Sequence, residues 1–174
     1  GGAARAAISC ASWNAQGLNA PGRPKMAWLS GWLVEHSPAV LFVQEVHGTL
    51  VDFRHLRSWL RRRGYDARFL PGADTRRRTG VLAAVRVDAG RITGYERVAT
   101  RALGLRVRMH GELDDRFFCG MHGISSVNGS AFCLQLRAAE AYARRGVSGL
   151  VVGDFNHVPC RSWRCSMAQP QQTR

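Results

Sequence analysis

One pattern occurs twice in this chain and limits the folds that it can adopt. An apolar run at residues 40–43 is followed two residues later by Glu45, and a second run at residues 150–152 is followed two residues later by Asp154. A segment of helical periodicity precedes each run. Strands buried between layers of an α/β fold read as continuous apolar runs, and ligand sites gather at the ends of such strands. The pattern therefore predicts an α/β fold, although either acid alone is explained as well by a strand that ends at the surface.

Three further polar residues stand at the ends of predicted strands. Asn14 follows the first strand, His122 ends a later one, and Asn156 comes two residues after Asp154. Amide side chains can orient a phosphate, a water or a carboxylate, and an imidazole can donate to a phosphate oxygen. With Glu45 and Asp154, these residues predict one shared site. Paired carboxylates there suit Mg²⁺, with Mn²⁺ as an alternative.

The hydropathy pattern places the remaining elements in a single domain at residues 1–158, with an atypical, irregular tail at 159–174. Helices are predicted from Pro24 to the Ser37-Pro38 pair, at 50–63 and at 130–145. Strands are predicted at residues 8–13, 39–43, 81–85, 103–109, 116–121 and 150–152.

The charge of the chain favours a polyanionic partner such as nucleic acid. Lys and Arg number 25 against 12 Asp and Glu, which gives a net charge of +13, and Lys25 is the only lysine. Arginine forks match phosphate oxygens bidentately. Arg76, Arg77 and Arg78 fall in a predicted loop and are the candidate nucleic-acid contacts. A GC-rich genome would also enrich arginine, and the composition does not separate the two explanations.

The five cysteines are irregularly spaced, which disfavours a disulfide framework and favours a reducing, intracellular setting. Cys160, Cys165 and His157 loosely suggest zinc, but no second ligand pair stands at a recognised spacing, so zinc is disfavoured. No apolar run approaches the roughly 20 residues that a bilayer requires, and no membrane span is predicted.

The order and spacing of these motifs resemble the endonuclease/exonuclease/phosphatase superfamily, which includes exonuclease III-type apurinic endonucleases and pancreatic deoxyribonuclease. The resemblance implies a four-layer αββα sandwich of the deoxyribonuclease-like type and magnesium-dependent phosphodiesterase activity, with nicking of DNA as the expected reaction. The Trp-rich helix and the residues after Glu45 look most similar to endonuclease domains of LINE-type retrotransposons, which implies a nuclear location. The matching motifs are Trp13-Asn14 with Gly17-Leu18, Gln44-Glu45, Gly80-Val81 and Gly153-Asp154-Phe155-Asn156.

The resemblance also implies a role for each site residue. Glu45 would be the principal metal ligand, with Asn14 close to the metal. Asp154 would orient or deprotonate the attacking water, and Asn156 would hold the scissile phosphate. His122 falls where the family has a residue that contacts phosphate.

One motif of the superfamily is missing. No Asp-His pair occurs in the chain, although the superfamily carries one near its C-terminus. A truncated chain with an incomplete second sheet is therefore expected. The alternatives are a small phosphorylated substrate or RNA in place of DNA, and a non-catalytic remnant that binds nucleic acid.

Overall fold

The computed structural model describes residues 7–18, 24–72, 79–124, 130–146 and 148–155. Its elements follow the chain in a simple order of three helices and eight strands. They are β1 (Cys10–Asn14), α1 (Pro24–His36), β2 (Val40–Val46), α2 (Leu50–Arg61), β3 (Tyr65–Leu70), β4 (Gly80–Arg86), β5 (Gly90–Ala99), β6 (Ala102–Met109), β7 (Asp115–His122), α3 (Ser130–Ala143) and β8 (Gly149–Asp154).

The strands form two sheets that pack face to face. Sheet 1 has the order β1-β2-β4-β3 and sheet 2 has the order β5-β6-β7-β8. β1 and β2 are parallel, as are β7 and β8, and the other neighbours are antiparallel. Apolar residues of α1 and α2 pack on the outer face of sheet 1, and those of α3 pack on sheet 2. The predicted four-layer αββα sandwich is therefore confirmed.

The continuous apolar run in β2 is explained by burial on both faces. Leu41 and Val43 face the helices, whereas Val40 and Phe42 belong to the core between the sheets. Gly120 in β7 makes room for one of these side chains, because a Cβ atom there would lie 2.0 Å from the Phe42 ring. Close packing of this kind holds the two sheets at a fixed distance.

Sheet 2, expected to be incomplete relative to the superfamily, has four strands among the described residues. One expectation about its strands needs correction. Residues 150–152 were expected to form a strand buried on both faces. In the structure they belong to an edge strand, β8, which pairs with β7, and Leu150 is 42% exposed. None of the described helices is long and apolar enough to cross a membrane.

Candidate active site

Two parallel strand pairs bring the site residues together. In sheet 1, Asn14 at the end of β1 lies opposite Gln44 of β2. In sheet 2, His122 at the end of β7 lies opposite Asp154 at the end of β8. Parallel strands end at the same edge of a sheet, and β1 packs against β8 across the sandwich. The strand ends of both sheets therefore meet in one place.

A β-bulge places Glu45 at this position. The register of β2 shifts between Gln44 and Val46, which leaves Glu45 as the extra residue. Its φ is +52°, a left-handed conformation that costs a non-glycine residue about 1 kcal/mol or more. The loop after β1 stabilises this conformation. The Ala15 N–H donates to the Gln44 carbonyl at 3.0 Å, and the Gly17 N–H donates to the Glu45 carbonyl at 2.9 Å.

Asn14 bridges the two acids. Its side-chain Nδ2 donates to Glu45 Oε1 at 2.9 Å and to Asp154 Oδ2 at 2.6 Å. Its Oδ1 accepts a hydrogen bond from the Gln16 N–H at 3.0 Å, so the NH₂ side of the amide faces the carboxylates. Hydrogen bonds to ionised carboxylates are among the stronger ones in proteins. Asn14 thus joins an acid of sheet 1 to an acid of sheet 2.

His122 lies beside Glu45 and is only 5% exposed. Its Nε2 is 3.3 Å from Glu45 Oε1, and its buried Nδ1 has no hydrogen-bond partner among the described residues. The pKa of His122 lies below its usual value, chiefly because of burial; Glu45 and Asp154 oppose this shift and the charge of Arg101 adds to it. The ring is therefore mostly neutral at pH 7, and its Nε2 is the ring nitrogen on the side of Glu45.

The preceding glycine, Gly153, positions Asp154. Any other residue at position 153 would require the backbone of β8 or β7 to shift. Gly153 has a φ of +154°, and a Cβ atom there would lie 1.9 Å from the Met121 carbonyl oxygen. After Asp154 the chain remains attached to sheet 2, since the Gly123 N–H donates to the Asp154 carbonyl at 2.7 Å. The close approach of β8 to β7 at Gly153 therefore determines where the Asp154 carboxylate lies.

The residues present fit a divalent cation. The ligand atoms of Glu45, His122 and Asp154 lie within 4.8 Å of one another, and in the described ranges these three form the one such group of His, Cys, Asp and Glu side chains. Two carboxylates this close repel each other, and Asn14 supplies donors but no positive charge. The Glu45 side chain is 26% exposed, so an ion can reach it. Carboxylate oxygens suit Mg²⁺ and Mn²⁺.

Four of the five residues predicted at strand ends are brought together, namely Asn14, Glu45, His122 and Asp154. Asn156 lies outside the described residues, and so do Arg76, Arg77 and Arg78, the candidate nucleic-acid contacts. The residues considered for zinc, His157, Cys160 and Cys165, lie outside them as well.

Two basic residues near the site were not predicted from the sequence. Lys25, in the first turn of α1, donates from Nζ to the Ala15 carbonyl at 2.6 Å and to the Gln16 carbonyl at 2.7 Å. It holds the loop that orients Asn14. Arg101, in the turn between β5 and β6, accepts the His122 N–H at its carbonyl oxygen at 2.9 Å, and its charge acts on the imidazole.

The fold and the site together define an αββα sandwich with an acidic, cation-compatible centre at the strand ends. The chain belongs to the endonuclease/exonuclease/phosphatase family, whose model matches residues 11–172. No curated protein matches the chain by sequence.

Solved structures with the same fold come from several members of this group. The catalytic domain of human Nocturnin with a bound sulfate anion has a TM-score of 0.61 at 16% identity, over 83% of this chain and 61% of that one. D. rerio TDP2 complexed with a single-strand DNA product has a TM-score of 0.61 at 20% identity, over 87% of this chain and 61% of that one. ANGEL2, a 2′,3′-cyclic phosphatase in complex with adenosine-2′,3′-vanadate, has a TM-score of 0.66 at 16% identity, over 87% of this chain and 54% of that one. The chain therefore spans only about three fifths, or less, of these three structures. At such identities the likeness shows the fold alone.

Proposed function

We propose that this chain is the catalytic part of a metal-dependent phosphodiesterase that cleaves a nucleic-acid backbone, with nicking of DNA as its reaction. The observation that carries the proposal is the convergence of Glu45, His122 and Asp154 within 4.8 Å at the strand ends of both sheets, in a chain of the endonuclease/exonuclease/phosphatase family.

Glu45 and Asp154 are the proposed ligands of a Mg²⁺ or Mn²⁺ ion. When bound, such an ion supplies Lewis acidity toward a phosphoryl oxygen and stabilises the charge that develops there. Asn14 keeps the two carboxylates at a fixed separation through its hydrogen bonds of 2.9 and 2.6 Å. It therefore limits the reorganisation that the site requires before reaction.

The remaining roles are assigned to protons and to phosphate contacts. Asp154 orients the attacking water and accepts its proton. A neutral His122 donates from Nε2 to a phosphate oxygen when substrate is present. Asn156 is proposed to hold the scissile phosphate. Correct alignment of water and phosphate, rather than covalent chemistry, supplies most of the rate in this class of reaction.

A nucleic-acid substrate is supported by charge and by the relatives. The net charge of +13 favours a polyanion. Lys25 of α1 contacts the loop after β1, and Arg101 lies in the turn next to His122. The TDP2 relative was solved with a single-strand DNA product and the ANGEL2 relative with an adenosine-2′,3′-vanadate. We propose that Arg76, Arg77 and Arg78 contact the phosphates of the substrate. The LINE-type likeness and the nuclear location stay predictions from the sequence.

Incubation of supercoiled plasmid with the protein and Mg²⁺ tests the proposal. We expect open-circle product that is lost with chelator and reduced at least ~100-fold by Asp154→Asn or Glu45→Gln. Glu35→Gln is the matched control, because the Glu35 side chain is 76% exposed on α1, and it should nick like the native chain.

Nicking that persists in Asp154→Asn and with chelator would exclude the proposed centre. Parallel reactions with single-stranded RNA and with adenosine 2′,3′-cyclic phosphate test the substrate. Turnover of the cyclic nucleotide without nicking of plasmid would replace DNA by a small phosphodiester as the substrate.

A further inference from the structure

A buried glutamine contacts the end of the strand that carries His122. Gln135 lies on α3 and is 3% exposed. Its Nε2 donates to the His122 carbonyl at 3.0 Å, and its Oε1 accepts from the Ile124 N–H at 3.2 Å. One side chain therefore satisfies a backbone acceptor and a backbone donor on the two sides of Gly123. Buried polar groups of this kind destabilise the fold when they are left unpaired.

These two hydrogen bonds secure a backbone segment that has just left the sheet. β7 ends at His122, and after it the Gly123 N–H bonds to the Asp154 carbonyl at 2.7 Å. The segment is thus held by β8 on one side and by Gln135 of α3 on the other. Both acids of the centre depend on it, since His122 contacts Glu45 and Gly123 contacts Asp154.

Among the described residues, no hydrogen bond to the rear nitrogen of the His122 ring fixes the direction of the imidazole. A histidine at a functional site is commonly oriented by a hydrogen bond to the ring nitrogen that faces away from the reacting group. Here Nδ1 is that nitrogen, and it is buried without a partner in the part of the chain that the structure describes. The direction of the ring therefore depends on its backbone. That backbone is held by Gln135 on the side of α3, in addition to the Arg101 carbonyl and β8.

We propose that Gln135 is a positioning residue for His122, acting through the backbone on both sides of Gly123 to keep the imidazole Nε2 directed at Glu45 and the substrate. The expected effect of Gln135 on hydrolysis rests on the proposed function. Its structural part, the orientation of His122, holds whether or not the chain turns over a phosphodiester.

The decisive measurement is NMR of the histidine ring in the metal-free protein, followed by kinetics. Gln135→Leu removes both hydrogen bonds at similar volume, and Gln135→Glu keeps the shape and the acceptor but loses the donor to the His122 carbonyl. We expect both variants to shift the ring ¹⁵N and ¹H signals of His122. In hydrolysis, we expect kcat to fall by roughly 10- to 100-fold with KM changed less than about threefold, since a misplacement of about 1 Å costs about that much in rate.

Leu136→Ala is the matched control, because Leu136 is the next residue on α3, is 8% exposed and packs in the core. It should lower stability without moving the His122 signals or the kcat of the folded fraction. Unchanged His122 signals in Gln135→Glu, or equal shifts in Leu136→Ala, would overturn the proposal. If Gln135→Leu does not fold, Gln135→Glu decides. Shifted ring signals in a protein without any hydrolysis would support the positioning role and count against the proposed function alone.

Discussion

Gly153 offers a sharp test of how the site is built, because a single methyl group there must move Asp154. The Cβ atom of Gly153→Ala would lie 1.9 Å from the Met121 carbonyl, whereas Cβ atoms in proteins essentially never approach closer than 3.0 Å. The end of β8 must therefore retreat from β7 by at least 1.1 Å, the difference between these two distances. The hydrogen bond from Asn14 to Asp154 measures 2.6 Å and is lost beyond roughly 3.5 Å. The lengthening that this bond tolerates is therefore smaller than the required shift.

The expected magnitudes follow from this shift and from the backbone conformation. A φ of +154° strains alanine by about 1–3 kcal/mol, and the steric shift adds to it, so we expect a total loss of about 2–4 kcal/mol in the free energy of unfolding. Nicking by the folded protein should fall about 100-fold, as a 1 Å misplacement commonly does. Mn²⁺ affinity, followed by titration calorimetry, should fall as well.

Gly111→Ala is the control for backbone strain. Gly111 has a φ of +80° and a Cβ atom there would meet nothing within 4 Å, so only the conformational cost of about 1–2 kcal/mol applies. Urea unfolding of both variants gives the stabilities, and nicking is normalised to the folded fraction. The reasoning is refuted if Gly153→Ala keeps wild-type nicking and Mn²⁺ affinity, or if Gly111→Ala loses them equally.

Four further predictions concern pH, thiol reactivity, cation binding and salt. Burial would raise the pKa of Asp66, but hydrogen bonds and charges from Arg68 and Arg57 outweigh it and the pKa lies below the usual value. The stability that ionised Asp66 contributes is present above the pKa of Asp66 in the unfolded chain, about 3.9. It is lost as the pH falls through the lower pKa of Asp66 in the folded protein. In urea unfolding, the stability difference between wild type and Asp66→Asn should therefore shrink at pH 2–3. Burial raises the pKa of Cys119 to about 12, and peptide mapping after iodoacetamide at pH 8 should find it modified only in the unfolded chain. Mn²⁺ at 100 times its Kd should stabilise the native chain by about 2.7 kcal/mol, and thermal unfolding should show no such gain in Glu45→Gln. The logarithm of the DNA association constant should fall by roughly 0.9 for each neutralised phosphate when the salt concentration rises tenfold. A DNA affinity that does not change with salt in fluorescence anisotropy would contradict a phosphate-dominated interface.

The central elements of the fold could be predicted because burial on both faces leaves a continuous apolar run. This holds for β2 and β4. Helical spacing identified α1 and α2, and the residues at its two ends predicted α3. β3 and β5 were not predicted. β3 alternates buried and half-buried residues, but Asp66 and Arg68 interrupt a short run. β5 is an edge strand with mostly exposed or half-buried residues, so its sequence carries little of the pattern that a core strand requires.

Sequence could identify which residues meet in the site but not how they are held. The ends of strands are visible as changes from apolar to polar residues, and that was sufficient for Asn14, Glu45, His122 and Asp154. The bulge at Glu45 depends on backbone hydrogen bonds from the loop after β1, and no local pattern encodes them. Gln135 and Lys25 act through backbone carbonyls, and these contacts are invisible without the fold.

The site is divided between the two sheets, and this division explains why its supporting residues lie so far apart in the chain. Asn14 and Glu45 come from sheet 1, His122 and Asp154 from sheet 2, and the hydrogen bond between Asn14 and Asp154 joins residues that are 140 positions apart. Neither half can arrange the carboxylates alone, because each sheet contributes one of them. The geometry of the centre therefore depends on the docking of the sheets, and the Phe42 ring seated against Gly120 contributes to that docking. A cation that binds both carboxylates must accordingly favour the docked state, which makes cation binding and the closure of the sandwich two aspects of one equilibrium.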